Sequence, residues 1–380
     1  MRISNGCWQE ESQSLAPSQP EKILIIHSGG IGDLFLALPA MRLFRRTFPH
    51  SILALLGRPE RLSLTAFDLQ AKSLHSIDQA GMAYFYVAGG TLPSSLSAFF
   101  SSCPVILVFG KSRGNALAEN LQKAGAEQVI LLPSFPPEGL KVHAADYLVD
   151  SLKASGFEGE NSFSPLRLPE DAMSLARGFL ANFSWPLGHP QSHENPPSPP
   201  FSKGGLGGFG KYFISNLGLK EGERVLAIHP GSGSAAKNWS PENFARVADG
   251  VSERAKVLLI SGPATDGVEE VRRALKKADS FVADNLPLIQ LAAVLKLSTA
   301  YLGNDSGITH LAAALGVPTV AIFGPTDPAI WGPRGPGVRL LYDRSSCSPC
   351  SSEARSVCSR QCLERIDPDR VIELLSPFFG

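Results

Sequence analysis

The sequence predicts an α/β protein made of two doubly wound parallel sheets that face each other across a cleft. Three observations predict it. Apolar runs alternate with amphipathic helical patterns along most of the 380 residues. The alternation comes as two blocks, each opening on a buried-strand signal followed by a glycine turn. The stretch from Gly303 to Thr319 reads as polar turn, helix and next strand, the unit from which such sheets are built.

The first block opens at Lys22-Ile-Leu-Ile-Ile-His27 and turns through Ser28-Gly-Gly-Ile-Gly-Asp33. A helix is expected from about Leu34 to Phe48, with Arg42, Arg45 and Arg46 late in it, where cations suit the helix dipole. Strands follow at Ile52 to Leu56, Val105 to Phe109 and Gln128 to Leu132, with helical patterns near 114–124 and 143–154. The second block opens at Arg224-Val-Leu-Ala-Ile-His229 and turns through Pro230-Gly-Ser-Gly-Ser234. Ser240 caps a helix from Pro241 to about Arg254, with proline at its first position. Lys256 to Ser261 is a strand, followed by a Gly262–Asp266 turn and a helix to about Lys277. Thr299 to Leu302 is apolar and runs into Gly303-Asn-Asp305. The next helix starts at Asp305 or Ser306 and ends at Gly316, with Pro318 just beyond. Thr319 to Phe323 is a strand leading to Gly324-Pro-Thr-Asp-Pro328. In Asp367-Pro-Asp369, Asp367 reads as the cap of a terminal helix with Pro368 at its first position, not as half of a metal-binding acidic pair.

The expected organisation is a disordered tail at 1–21, an acceptor-binding Rossmann-like domain at 22–185 and a disordered insertion at 186–211. A nucleotide-sugar-binding Rossmann-like domain follows at 212–345, then a cysteine-rich segment with a terminal helix at 346–380. The insertion is rich in Pro, Gly and Ser and has no periodic apolar pattern, so it buries too little to order itself. Lys and Arg total 35 and balance 35 Asp and Glu, which argues against a nucleic-acid partner. No run of 18 apolar residues is present, and residues 1–20 lack the apolar centre of a signal peptide. The expected location is the cytoplasm.

The helix start at Asp305 or Ser306 is the geometry of an anion site, where free N–H groups and the helix dipole point the same way. Asp305, Ser306, Gly307, Thr309 and His310 crowd it. The turn at Ser28–Asp33 superficially matches a dinucleotide fingerprint. The acidic residue expected after the second strand is missing, and Leu55-Leu-Gly-Arg58 stands there. Its glycines, Gly30 and Gly32 among them, would let another molecule approach the backbone. Asp33 reads either as a helix cap or as a base that takes a proton from a hydroxyl nucleophile. His143 and His229 read as structural or orienting groups. Cys347 with Cys350 and Cys358 with Cys362 form two close pairs. Free thiols are the favoured reading, a structural zinc site the second, and a disulfide the third.

Together these residues resemble glycosyltransferase family 9, the bacterial heptosyltransferases. The resemblance rests on Lys22 to Pro49 with Gly32-Asp33, on His229-Pro-Gly-Ser-Gly-Ser-Ala-Ala-Lys-Asn-Trp239, on Asn304-Asp-Ser-Gly-Ile-Thr-His310 and on Phe323-Gly-Pro-Thr-Asp-Pro328. It covers most of residues 22–375 outside the insertion. It implies a GT-B fold, with the acceptor on the first domain and the nucleotide sugar on the second. The implied reaction is inverting transfer of heptose from ADP-heptose to the inner core of lipopolysaccharide, with no cofactor required. Asp33 matches the family's proposed base. Ser232, Gly233 and Lys237 match the loop that holds the donor phosphates, and Asp266 matches a position that meets the ribose. Asp305, Ser306, Gly307 and His310 match the diphosphate and sugar site. The implied acceptor is an anionic, lipid-linked molecule, met at the inner face of the inner membrane. Two departures leave alternatives open. His27 and Ser28 replace a basic residue that the family often has there, and Ser-Gly-Ser replaces the threonine pair of some members. A GT-B transferase for another nucleotide sugar is one alternative, and a non-catalytic nucleotide-binding Rossmann protein is another.

Overall fold

The computed structural model describes residues 19–89, 92–110, 116–160, 163–181, 222–262, 267–343, 350 and 361–380. The insertion at 186–211 and the tail up to residue 18 lie outside them. The first half runs β1 (Lys22–His27), α1 (Ile31–Thr47), β2 (Ile52–Gly57), α2 (Pro59–Ala66), β3 (Ser73–Ser76), α3 (Ser94–Ser101), β4 (Val105–Phe109), α4 (Ala116–Lys123), β5 (Gln128–Leu132), α5 (Ala144–Ala154) and α6 (Glu170–Ala181). The second half runs β6 (Val225–His229), α7 (Pro241–Val251), β7 (Lys256–Ser261), α8 (Val268–Ala274), β8 (Ser280–Asp284), α9 (Leu288–Leu297), β9 (Ala300–Asn304), α10 (Gly307–Ala314), β10 (Thr319–Phe323), α11 (Pro328–Trp331), β11 (Val338–Tyr342), α12 (Gln361–Glu364) and α13 (Pro368–Leu375).

Both sheets are parallel. One has the order β3-β2-β1-β4-β5, the other β11-β10-β9-β6-β7-β8. The central strands β1, β4, β6, β9 and β10 are buried almost throughout, as expected of strands covered on both faces. The strand order reverses between β1 and β4 in one sheet and between β6 and β9 in the other. Ligands of doubly wound sheets bind beyond the strand ends at such reversals. The turns after β1, β4, β6 and β9 therefore mark the expected site, and all four belong to motifs or strands read from the sequence.

The boundaries that differ have local causes. α1 begins at Ile31 rather than Leu34, because Gly30 is the cap and Asp33 lies inside the first turn. α8 ends at Ala274 rather than Lys277. The backbone N–H groups of Lys276, Lys277 and Ala278 donate instead to the Asp249 carboxylate, at 3.0, 2.8 and 2.8 Å. Glu21, expected in a disordered tail, accepts the Ile52 N–H at 2.8 Å and so extends the β1–β2 ladder. Ser306 caps α10, Gly316 follows it at φ +79°, and Asp367 caps α13 through the Asp369 N–H at 3.0 Å.

The two halves pack directly on each other. α1 lies along α10, and α6 lies along α9. The closest approach is between the starts of α1 and α10. A Cβ at Gly307 would sit 2.7 Å from Ile31 Cβ and 3.0 Å from the Gly32 nitrogen. Gly307→Ala should therefore force the halves apart. The expected cost is about 1–3 kcal/mol, the scale of overpacking a fitted contact. An unchanged urea midpoint would show that the two helix starts separate freely.

Candidate active site

The site is built upward from β9. Its last residue, Asn304, is fully buried and spends its amide on the loop beyond β6. Its Nδ2 donates to the Pro230 carbonyl at 2.6 Å, and its Oδ1 accepts the Trp239 N–H at 3.0 Å. Both ends of the Ser232–Lys237 loop are thereby tied to the start of α10. Within that loop, Ser232 Oγ donates to Asn238 Oδ1 at 2.6 Å and accepts the Ser234 N–H at 3.2 Å. Gly233 is exposed at the tip, where an added Cβ would meet nothing within 4 Å.

Lys237 reaches back from this loop to Asp305, with Nζ 2.7 Å from Oδ2. The same carboxylate oxygen accepts the Thr326 hydroxyl at 2.5 Å. Lys237 is about one-quarter exposed, so the ammonium stands at the edge of open space. Ser306 follows Asp305 and caps α10 through the Thr309 N–H at 3.3 Å. The remaining N–H groups of the first turn and the helix dipole point into the same space. His310, one turn on, is buried. A Cβ at Gly32 of α1 would lie 3.5 Å from His310 Cδ2. Burial drives the His310 pKa down to about 4, against the pull of Asp305 and Asp33 and with the help of His143 and Lys237. The imidazole is neutral at ordinary pH, with the four charged or titratable groups of both halves arranged around it.

On the opposing wall, Asp33 Oδ2 accepts the Gly30 N–H at 2.8 Å. Asp33 thus occupies the third position of α1 and reaches back to its cap, which resolves the cap reading in a modified form. The carboxylate also lines a cavity of about 280 Å³ with His27, Ser28, Phe109, Phe135 and Leu148. His27 stacks edge-on against Phe109, with ring centroids 5.7 Å apart. Burial pushes its pKa down to about 4, despite the opposing effect of nearby Asp33. A neutral ring therefore stands where a basic residue was expected from the resemblance.

The structure brings Asp33, Gly30 and Gly32 opposite Lys237, Asp305, Ser306, Gly307 and His310. Asp266 lies outside the described residues, as do Cys347 and Cys358. Cys350 and Cys362 are buried. Among the described residues no group of three or more His, Cys, Asp or Glu side chains is placed to hold a metal ion. Sequence reasoning missed three contributors. Thr326 fixes Asp305 and lies in a quoted motif that had no assigned role. Asn304 sets the loop, and only its position next to Asp305 could have drawn attention to it. Arg61 donates to the Gly29 carbonyl at 2.9 Å from another helix, a contact that no local pattern signals.

Comparison with known proteins places this geometry. Residues 209–359 match the model of glycosyltransferase family 9 (heptosyltransferase). Lipooligosaccharide heptosyltransferase 2 of Campylobacter jejuni is 29% identical over 168 residues, which are 42% of this chain and 53% of that protein. The chain thus spans about half the length of the curated relatives it matches. The whole fold is similar to the crystal structure of a family 9 glycosyltransferase from Veillonella parvula, with a TM-score of 0.70 at 19% identity, covering 94% of this chain and 97% of that one. It is also similar to the E. coli ADP-heptose lps heptosyltransferase II, with a TM-score of 0.65 at 17% identity, covering 94% and 98%. The two facing parallel sheets have the GT-B arrangement expected from the sequence, and the strands of the second sheet lie within the residues that match the family 9 model.

Proposed function

We propose that this protein is an inverting glycosyltransferase that moves heptose from ADP-heptose to the inner core of lipopolysaccharide. The observation that carries the reading is the opposition of Asp33, on α1, to the start of α10 and the Lys237–Asp305 pair. The donor diphosphate would lie at that helix start, taking N–H groups from α10 and the ammonium of Lys237. Lys237 would exchange its Asp305 partner for the phosphate, with Thr326 still holding the carboxylate. The sugar would then lie between His310 and Asp33. An acceptor hydroxyl in the Asp33 cavity attacks the anomeric carbon from the face opposite the diphosphate. The bond from carbon to acceptor oxygen forms, the bond to ADP breaks, and the hydroxyl proton passes to Asp33. Charge grows on the departing ADP in that step, where Lys237 and the α10 N–H groups already point.

The acceptor is read as an anionic, lipid-linked core, met at the inner face of the inner membrane. Among the described residues no helix is long and apolar enough to cross a membrane. Calorimetric titration with ADP-heptose, UDP-glucose and NAD tests the donor. Tighter binding of UDP-glucose would move the reading to another nucleotide sugar. Selective binding of NAD would move it to a dinucleotide protein.

Asp33→Asn should lower turnover about 10²- to 10⁴-fold, the scale for losing a general base, with little change in donor affinity. Near wild-type turnover would reduce Asp33 to its capping role. Lys237→Ala should cost about 2–4 kcal/mol of transition-state stabilisation, measured as kcat/KM for the donor. Equal kinetics in the two proteins would remove Lys237 from the site.

His27 gives a pH test of stability. Its folded pKa of about 4 lies below the ordinary value of 6.5. Between those values the unfolded chain binds a proton that the folded chain refuses, so stability falls as pH drops through that window. His27→Gln should therefore lose less melting temperature than the wild type between about pH 7 and pH 4.5. Parallel losses in the two proteins would show that His27 is protonated in the fold.

A further inference from the structure

A second set of contacts joins the halves beside the α1–α10 contact. The loop from Gly324 to Arg334 leaves β10 and passes through α11. At its start, Thr326 holds Asp305 of the donor site. At its far end it grips the other half of the molecule at three points. Trp331 packs on Leu36, Ala144 and Ala145, and meets the Phe135 ring edge-on with centroids 5.4 Å apart. Gly332 offers its carbonyl to His143 Nε2 at 2.9 Å. Arg334 makes a two-pronged pair with Asp146, at 2.5 and 2.6 Å.

His143 has its roles fixed by geometry. Nδ1 accepts the Ala145 N–H at 3.2 Å and so caps α5. Nε2 must then carry the proton that it gives to Gly332. Burial lowers the pKa of His143 and favours the neutral ring that this arrangement needs, with Arg334 acting the same way and Gly332 and Asp146 opposing. The grip lands on the walls of the Asp33 cavity. Phe135 lines that cavity, and so does Leu148 of α5, one turn beyond the His143–Asp146 contacts.

We infer that Trp331, Gly332 and Arg334, held by Phe135, His143 and Asp146, form a clasp that closes the two halves and sets Asp33 at its working distance from the donor site. His143, Asp146 and Arg334 are positioning residues. They act through α5 and the loop. The inference rests on the transferase reading for its consequence in turnover, and on the structure alone for closure.

Arg334 and Asp146 are both partly exposed, so their substitution does not threaten the core. Three variants are made in the full chain: Arg334→Asp, Asp146→Arg and the double exchange. Each is measured for kcat on a lipid-linked core acceptor, for affinity toward ADP, and for radius of gyration by small-angle X-ray scattering. Each single variant should lose about 5- to 20-fold in kcat, keep its ADP affinity within about twofold, and become more extended. The double exchange should recover turnover and compactness together, which a merely structural lesion would not do. His143→Asn keeps a capping oxygen but lacks the reach to Gly332, and should resemble the single variants. Unaltered kcat and radius in the single variants would overturn the clasp. So would ADP affinity that falls in step with kcat, or a double exchange no better than its parents. If the wild type transfers no sugar, the activity reading fails, while the radii still decide whether the clasp exists.

Discussion

The structure depends on how closely the starts of α1 and α10 approach. Each helix brings its positive end to the same gap, an arrangement that like partial charges oppose. Packing makes it possible: Gly307 lacks the Cβ that would press on Ile31 and the Gly32 nitrogen and hold the backbones apart. Electrostatics makes it tolerable. Asp33 lies in the first turn of one helix, and Asp305 stands just before the other. His310 lies between them as a neutral ring, so it adds no third positive charge. The two carboxylates thus offset the two helix ends, and the Lys237 ammonium stands beside Asp305.

The polar groups beneath the gap are spent on shape. Asn304 is inaccessible to any ligand, yet its two hydrogen bonds decide where the Ser232–Lys237 loop lies. Thr326 and Lys237 converge on one oxygen of Asp305. Under the proposed function Lys237 leaves that oxygen for the phosphate, and the Thr326 hydroxyl keeps the carboxylate in place as it does so.

Much of this was legible in the sequence, for identifiable reasons. Strands buried on both faces leave continuous apolar runs, so β1, β4, β6 and β10 were read nearly to the residue. Caps also leave local signs: Ser240 and Asp367 stand where the sequence puts them, and of the two candidates Asp305 and Ser306 the second is the cap. Short or half-exposed elements such as β3, β8 and β11 carry no such pattern and were missed. α8 was read too long because a carboxylate on a neighbouring helix captures the N–H groups that would have continued it. At the candidate site, residues adjacent to a glycine turn carry a local signal, while those that reach in from a distance do not. Arg61 on the Gly29 carbonyl and Arg334 on Asp146 are products of folding, separated from their partners by 32 and 188 positions.

The hydroxyl cluster beneath α10 has a consequence for the direction of its protons. Thr309 Oγ1 faces the Asn304 carbonyl, which can only accept, so the Thr309 hydrogen is committed there. Tyr301, 3.1 Å away, must then donate to Thr309. Ser306, 3.0 Å away, must do the same. With its single hydrogen used, Ser306 can only accept from His229, whose Nδ1 lies 3.4 Å off. One backbone carbonyl thus orders four side chains in sequence. In this order His229 gives its Nδ1 hydrogen to Ser306. A group that would otherwise have two faces is given one chemical sense at the edge of the donor loop.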